Sequence, residues 1–161
     1  KEPWKGLVLG SNQSGDVILT NHGNRKDRLV LSDEIHKNIP IKGYPKFKTP
    51  SFPLLLKGRQ HSGKAICRGK QHPIWEGVII FNLVIGDAAE AACVHFEEDG
   101  SIRFSDNPEQ VIECEAERYT CGTTVHTFQY HGAKNQKFVR NEDDTISPKE
   151  NLKVTPPKNM H

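Results

Sequence analysis

Between Phe128 and Phe138 the chain gathers two aromatic rings, Phe128 and Tyr130, an imidazole, His131, and an adjacent amide pair, Asn135 and Gln136. Two carboxylates, Glu113 and Glu115, precede them. A pyranose offers an apolar C–H face that stacks on an aromatic ring, and a fan of hydroxyls that amides and carboxylates bridge. The combination therefore suits non-covalent recognition of a sugar. Bond-making is not specified by any spacing: there is no Gly-rich phosphate loop, no HExxH and no Gly-x-Ser-x-Gly elbow. The four cysteines include no CxxC pair for zinc. His126 and His131 are five apart and would fall on opposite faces of a regular strand, which argues against a shared metal. The chain is expected to bind rather than to catalyse, with no metal and no cofactor.

The elements that would position these groups read as strands. Short apolar or alternating runs at 7–9, 17–19, 29–31, 53–56, 77–85, 93–96, 110–113, 124–130, 136–140 and 151–154 are separated by clusters of Gly, Asn, Asp, Pro and Ser. No run has helical periodicity over ten residues, and Gly86–Ala92 is long enough only for a helical turn in a loop. The chain of 161 residues, 35% hydrophobic and 26% charged, has the composition of one globular domain. Its longest apolar stretch, Gly77–Ile85, has the length of a buried strand and not of a membrane span, so no membrane insertion is expected. The expectation is an all-β chain, a barrel or sandwich, over residues 1–154, with a Pro-rich and basic insertion around 40–72 and a disordered tail at 155–161.

One unit repeats. Glu98-Asp99-Gly100-Ser101-Ile102 and Asp143-Asp144-Thr145-Ile146 are similar turns, with Ile102 and Ile146 separated by 44 residues, and each is followed by an aliphatic run. Ser32-Asp33-Glu34-Ile35 is a third candidate. Units too small to bury their own apolar face are stable when copies share a core. The segment Asn135-Gln136-Lys137-Phe138 with the Asp143–Ile146 turn resembles the ricin-type lectin domain, whose repeats carry Gln-x-Trp before an acidic-Gly-Thr/Ser-Ile turn; Phe138 stands where Trp is usual. The resemblance is clearest over residues 98–154. It implies a β-trefoil that binds a galactose- or GalNAc-type glycan through Glu113, Phe128, Tyr130, His131, Asn135 and Gln136. Phe128 or Tyr130 would stack on the sugar, Asn135 would orient its hydroxyls and Gln136 would steady Asn135. It implies a lectin-like module for cell-surface attachment or targeting, with a glycoprotein, a receptor or a larger assembly as partner.

Cys67, Cys93, Cys114 and Cys121 allow three disulfide pairings, of which Cys67–Cys93 with Cys114–Cys121 is favoured over four free thiols. Asn12-Gln13-Ser14 is an N-glycosylation sequon, and with disulfides it would fit a secreted, extracellular protein. Charge is uneven: residues 1–80 carry a net +8 and residues 81–161 a net −6. Lys57, Arg59, Lys64, Arg68 and Lys70 form a basic loop that offers an alternative function, binding a heparin-like polyanion or a protein receptor. No aromatics interleave with them, so nucleic acid is not the expected partner.

Overall fold

The computed structural model describes residues 6–32, 51–73 and 76–151. The expectations on Asp33–Ile35, on most of the Pro-rich insertion and on the tail lie outside them. The chain is all-β, as expected, with short 3-10 turns and no α-helix among the described residues. Its strands are β1 (Leu7–Ser11), β2 (Val17–Asn21), β3 (Ser51–Pro53), β4 (Lys64–Gln71), β5 (Phe81–Asp87), β6 (Cys93–Phe96), β7 (Ile102–Phe104), β8 (Asn107–Cys114), β9 (Val125–Gln129), β10 (Phe138–Arg140) and β11 (Ile146–Pro148). Seven form one antiparallel sheet in the order β3-β6-β7-β8-β9-β5-β4, and β1–β2 and β10–β11 are separate hairpins.

The sheet curls into a half-barrel. Past β3, Leu55 bridges to Ala65 of β4, with Leu56 N–H on Lys64 O and Ile66 N–H on Leu54 O, both at 3.0 Å, so the two outermost strands touch at one end. Alternation decides what lies inside. On β8, Ile112 and Cys114 point inward while Val111 and Glu113 point outward; on β9, Val125 and Thr127 point inward while His126 and Phe128 point outward. Leu9, Leu19, Leu29, Leu54, Leu83, Ile102, Ile112, Phe138 and Ile146 fill the core with almost no exposure. Full burial of each such side chain contributes about 1.5–3 kcal/mol.

The hairpins close over this core through one turn built three times. In residues 97–101 the N–H of Glu97 meets Ser101 O at 2.8 Å, Gly100 N–H meets Glu97 O at 2.9 Å, and the Ser101 hydroxyl and N–H both donate to Asp99. Residues 141–145 repeat it: Asn141 N–H to Thr145 O at 2.8 Å, Asp144 N–H to Asn141 O at 2.9 Å, and the Thr145 hydroxyl and N–H both to Asp143. Residues 12–16 share the backbone pattern, with Asn12 Oδ1 taking the N–H groups of Ser14 and Asp16. The fourth residue of each turn is left-handed: Gly15 at φ 83°, Gly100 at 94° and Asp144 at 68°. A side chain at Gly100 would be strained, since its φ is in the left-handed region and a Cβ would lie 3.1 Å from Phe138 O.

Three sequence expectations need correction. The basic segment from Lys64 is no loop but strand β4, paired along most of its length with β5. The run 29–31 forms only bridges, such as Leu31 with Leu56, rather than a strand. Neither expected disulfide exists: Cys67, Cys93, Cys114 and Cys121 are all free. Pro53 pairs with Cys93 while Leu55 bridges to Ala65, so a strand runs between Cys67 and Cys93 and separates them by two strand spacings, roughly 10 Å. Disulfides need Cα atoms closer than about 7 Å. Cys114 points into the core, where burial and then the neighbouring Glu113 charge push its thiol up to about 12, whereas Cys121 is exposed near Thr20. All four cysteines are expected to react with a thiol reagent when the protein is denatured without reductant; a count of two or zero would contradict the free-thiol arrangement.

Candidate functional site

The outer face of β8 and β9 carries the polar groups that the sequence singled out. Glu113 and His126 are direct partners across the strands, and Glu113 is buried there. A carboxylate out of water needs donors. Glu113 Oε2 lies 2.9 Å from His126 Nε2, and Oε1 lies 2.9 Å from Gln136 Nε2 and 3.2 Å from His131 Nε2. His131 Nδ1 accepts the Ala133 N–H, so its Nε2 carries the proton that Glu113 receives. The two histidines thus converge on one carboxylate, contrary to the opposite-face expectation, because β9 ends at Gln129 and His131 already lies in the following loop.

Gln136 brackets that loop. Its Oε1 accepts the N–H groups of His131 and Gly132, and its Nε2 also donates to Gln129 O at 2.9 Å. Asn135 is buried as well: its Nδ2 donates to Cys114 O at 3.0 Å, and its Oδ1 is enclosed with no hydrogen-bond partner. Phe128 is half-buried, with its ring 6.3 Å from that of His126 and edge-on to that of His131 at 5.8 Å. Tyr130 donates its hydroxyl to Asp99 at 2.9 Å and lies under the Arg103 guanidinium at 3.8 Å. Of the six residues expected to meet a sugar, Glu113, Phe128, His131 and Gln136 come together, Asn135 packs behind them, and Tyr130 faces the neighbouring turn. What they present outward is the Phe128–His131 ring pair. Glu115 ion-pairs with Arg118 and plays no part in this group.

The inner face changes character toward the other end of the same strands. The stripe that places Ile66, Leu83, Ile112 and Thr127 inside continues, two residues on, as Arg68, Phe81, Gln110 and Gln129. Here the curled sheet opens into a cleft of about 440 Å³. Arg68 is clamped across it. Its guanidinium donates to both oxygens of Asp106 and to Gln110 Oε1 at 2.7 Å, and it rests over Phe104 at 4.6 Å and Phe81 at 6.0 Å. Asn107 and Glu109 line the rim, with Ile79, which is 45% exposed. Sequence reasoning missed this site. In the sequence Arg68 belongs to a charge run, and nothing local signals that β4, β5, β8 and β9 end together.

The other basic residues are spread out. Lys57 pairs with Asp144 at 3.4 Å and Lys64 with Asp87 at 3.0 Å, while Arg59 and Lys70 are exposed. Asn12 sits exposed at a hairpin tip. No group of His, Cys, Asp and Glu among the described residues has the geometry to hold a metal ion, and no described helix is long and apolar enough to cross a membrane.

Fold and site together define an all-β antiparallel protein with a polar cleft at the open end of a curled sheet and a buried carboxylate network on its outside. No protein-family model, no curated protein and no solved structure matches the chain.

Two predictions follow from the hydrogen bonding. Glu113→Ala strips the acceptor from His126, His131 and Gln136, and is expected to cost about 1–3 kcal/mol by urea denaturation, with Glu113→Gln costing less because its amide oxygen still accepts. The second concerns acid. Burial raises the Asp143 carboxyl, but hydrogen bonds from Thr145 and from His22, whose Nε2 is 2.6 Å away, outweigh it and hold the group well below the usual range. Asp99 is lowered in the same way, burial being outweighed by Ser101 and then Tyr130. A carboxyl with a folded pKa below its unfolded value of about 4 contributes stability above that pH and loses it as pH falls toward the folded value. Stability is therefore expected to drop below about pH 4, and the drop to be shallower in Asp143→Asn, read by thermal melts across that range.

Proposed function

We propose that the chain is a carbohydrate-binding module of β-trefoil type, similar to the ricin-type lectin domain. It recognises a galactose- or GalNAc-type glycan outside the cell and serves attachment or targeting. The observation that carries this reading is the agreement, bond for bond, of the turns at 97–101 and 141–145. They lie one repeat apart, where the resemblance requires matching turns. Gln136 adds weaker support: its amide fastens the loop after β9 to the strand, through His131, Gly132 and Gln129 rather than through Asn135, which the resemblance has it steady.

The extracellular setting is part of the proposal. Four unpaired cysteines are uncommon in an oxidising compartment, and burial protects Cys67 and Cys114 from reaction there. The exposure of Asn12 at a hairpin tip supports reading its sequon as a glycosylation site.

Polyanion binding is the second reading, favoured by Arg59 and Lys70, which stand exposed on the β4 side. It is the weaker one, because Lys57, Lys64 and Arg68 already face carboxylates. A glycan array containing neutral galactosides and sulfated heparin-type chains, run at low and physiological salt, separates the two. Neutral galactoside binding that persists in salt is the expected result. Binding restricted to sulfated chains and lost in salt would move the function to the basic residues, and a blank array would remove the glycan reading altogether.

A further inference from the structure

We infer that the sugar is held in the cleft at the open end of the curled sheet, around Arg68, Phe81, Gln110 and Gln129, and that this cleft selects uncharged rings. The inference rests on the glycan reading but relocates its site from the Asn135-Gln136 lobe. In that lobe the polar groups are consumed by the fold. Gln136 has oxygen and nitrogen both engaged, Glu113 serves three donors, and the Asn135 side chain is enclosed behind them. A sugar arriving there would find two ring edges and little else to bond.

The cleft offers what is missing. Its volume of about 440 Å³ lies in the range of small-molecule sites, which run from about 300 to 1,000 Å³ and favour the mouths of barrels. Phe81 and Ile79 give it an apolar wall, and Ile79 is the large apolar side chain left exposed among the described residues. Gln110 is oriented before any ligand arrives. Its oxygen is taken by Arg68, so its NH2 is the end left to donate. Gln129 is exposed on the adjacent strand and directly opposite Gln110, which sets two amides side by side. Preorganised, rigidly held groups of this kind raise affinity by reducing the ordering cost of binding.

Charge decides the ligand class. Arg68 is the cation of the cleft, and Asp106 and Gln110 already satisfy it, while Glu109 adds a further carboxylate at the rim. A sulfate or uronate would face two carboxylates against one neutralised guanidinium. A neutral pyranose would face carboxylate and amide acceptors and donors without that repulsion.

Side-chain amide spectra and variants test this together. Neutral galactosides retained on the array are titrated into isotopically labelled protein, and their affinities are measured for two pairs of exposed or half-exposed substitutions. Gln129→Ala and Ile79→Ser alter the cleft; Phe128→Ala and His131→Ala alter the outer lobe. The expected result is shifted side-chain amide signals for Gln110 and Gln129, with about a tenfold loss of affinity in the cleft pair and none in the lobe pair. Loss confined to the lobe pair, with unmoved Gln110 and Gln129 signals, would overturn the cleft and leave the lectin function standing. No retention of any galactoside by the wild-type chain would overturn both. Gln129 and Ile79 are both exposed, and unchanged backbone spectra in the free variants separate loss of the site from loss of the fold.

Discussion

The demand of one buried carboxylate organises the outer half of this protein. Glu113 sits on the face of β8 that turns away from the apolar core, yet it is shut off from water, and such a group is stable only when hydrogen-bonded. Its donors come from three places: β9 through His126, the loop end through His131, and the 3-10 turn through Gln136. Meeting that demand folds the segment 131–137 down over the strands and sets Phe138 at the start of β10, where it enters the core and its N–H reaches Gly100 O at 2.7 Å. The hairpin β10–β11 is thereby joined to the β6–β7 turn. A polar layer outside the sheet and an apolar core inside it share the same two strands.

The inner face carries the complementary lesson. The residues that make a core and the residues that make a cleft are one periodic stripe, and the difference lies in where the sheet stops being covered. Ile66 and Arg68 point the same way, as do Ile112 and Gln110. Arg68 belongs to the fold as much as to the cleft, because its guanidinium lies between Phe104 and Phe81 and ties β4 to the β7–β8 turn through Asp106.

Much of the local structure was legible because it depends on near neighbours. The alternation in 7–9, 17–19, 93–96 and 124–130 marked strands, and Asp99-Gly100-Ser101 marked a turn whose bonds all lie within five residues. β4 was not legible, because Lys64, Arg68 and Lys70 looked like a solvated run, and their strand forms only through pairing with β5. The thiols misled for a related reason. An even number of cysteines invites pairing, but whether Cys67 meets Cys93 depends on the extended segment 51–56 that passes between them. The convergence of His126 and His131 on Glu113 escaped because it turns on β9 ending at Gln129. The cleft depends on four strands distant in sequence ending side by side, which no local pattern encodes.

The pairing of β8 with β9 has one more consequence, for folding. Val111 faces Phe128, Ile112 faces Thr127 and Glu113 faces His126. A slip of β8 by one residue would exchange its faces, sending Glu113 into the space of Ile112 and leaving Ile112 outside. The slipped sheet would turn that carboxylate toward the apolar core and away from His126, His131 and Gln136, at a cost of several kcal/mol. The outward glutamate thus acts as a registration mark: it penalises every odd-numbered misalignment of the central hairpin, since each would expose the aliphatics of β8 and take Glu113 from its donors.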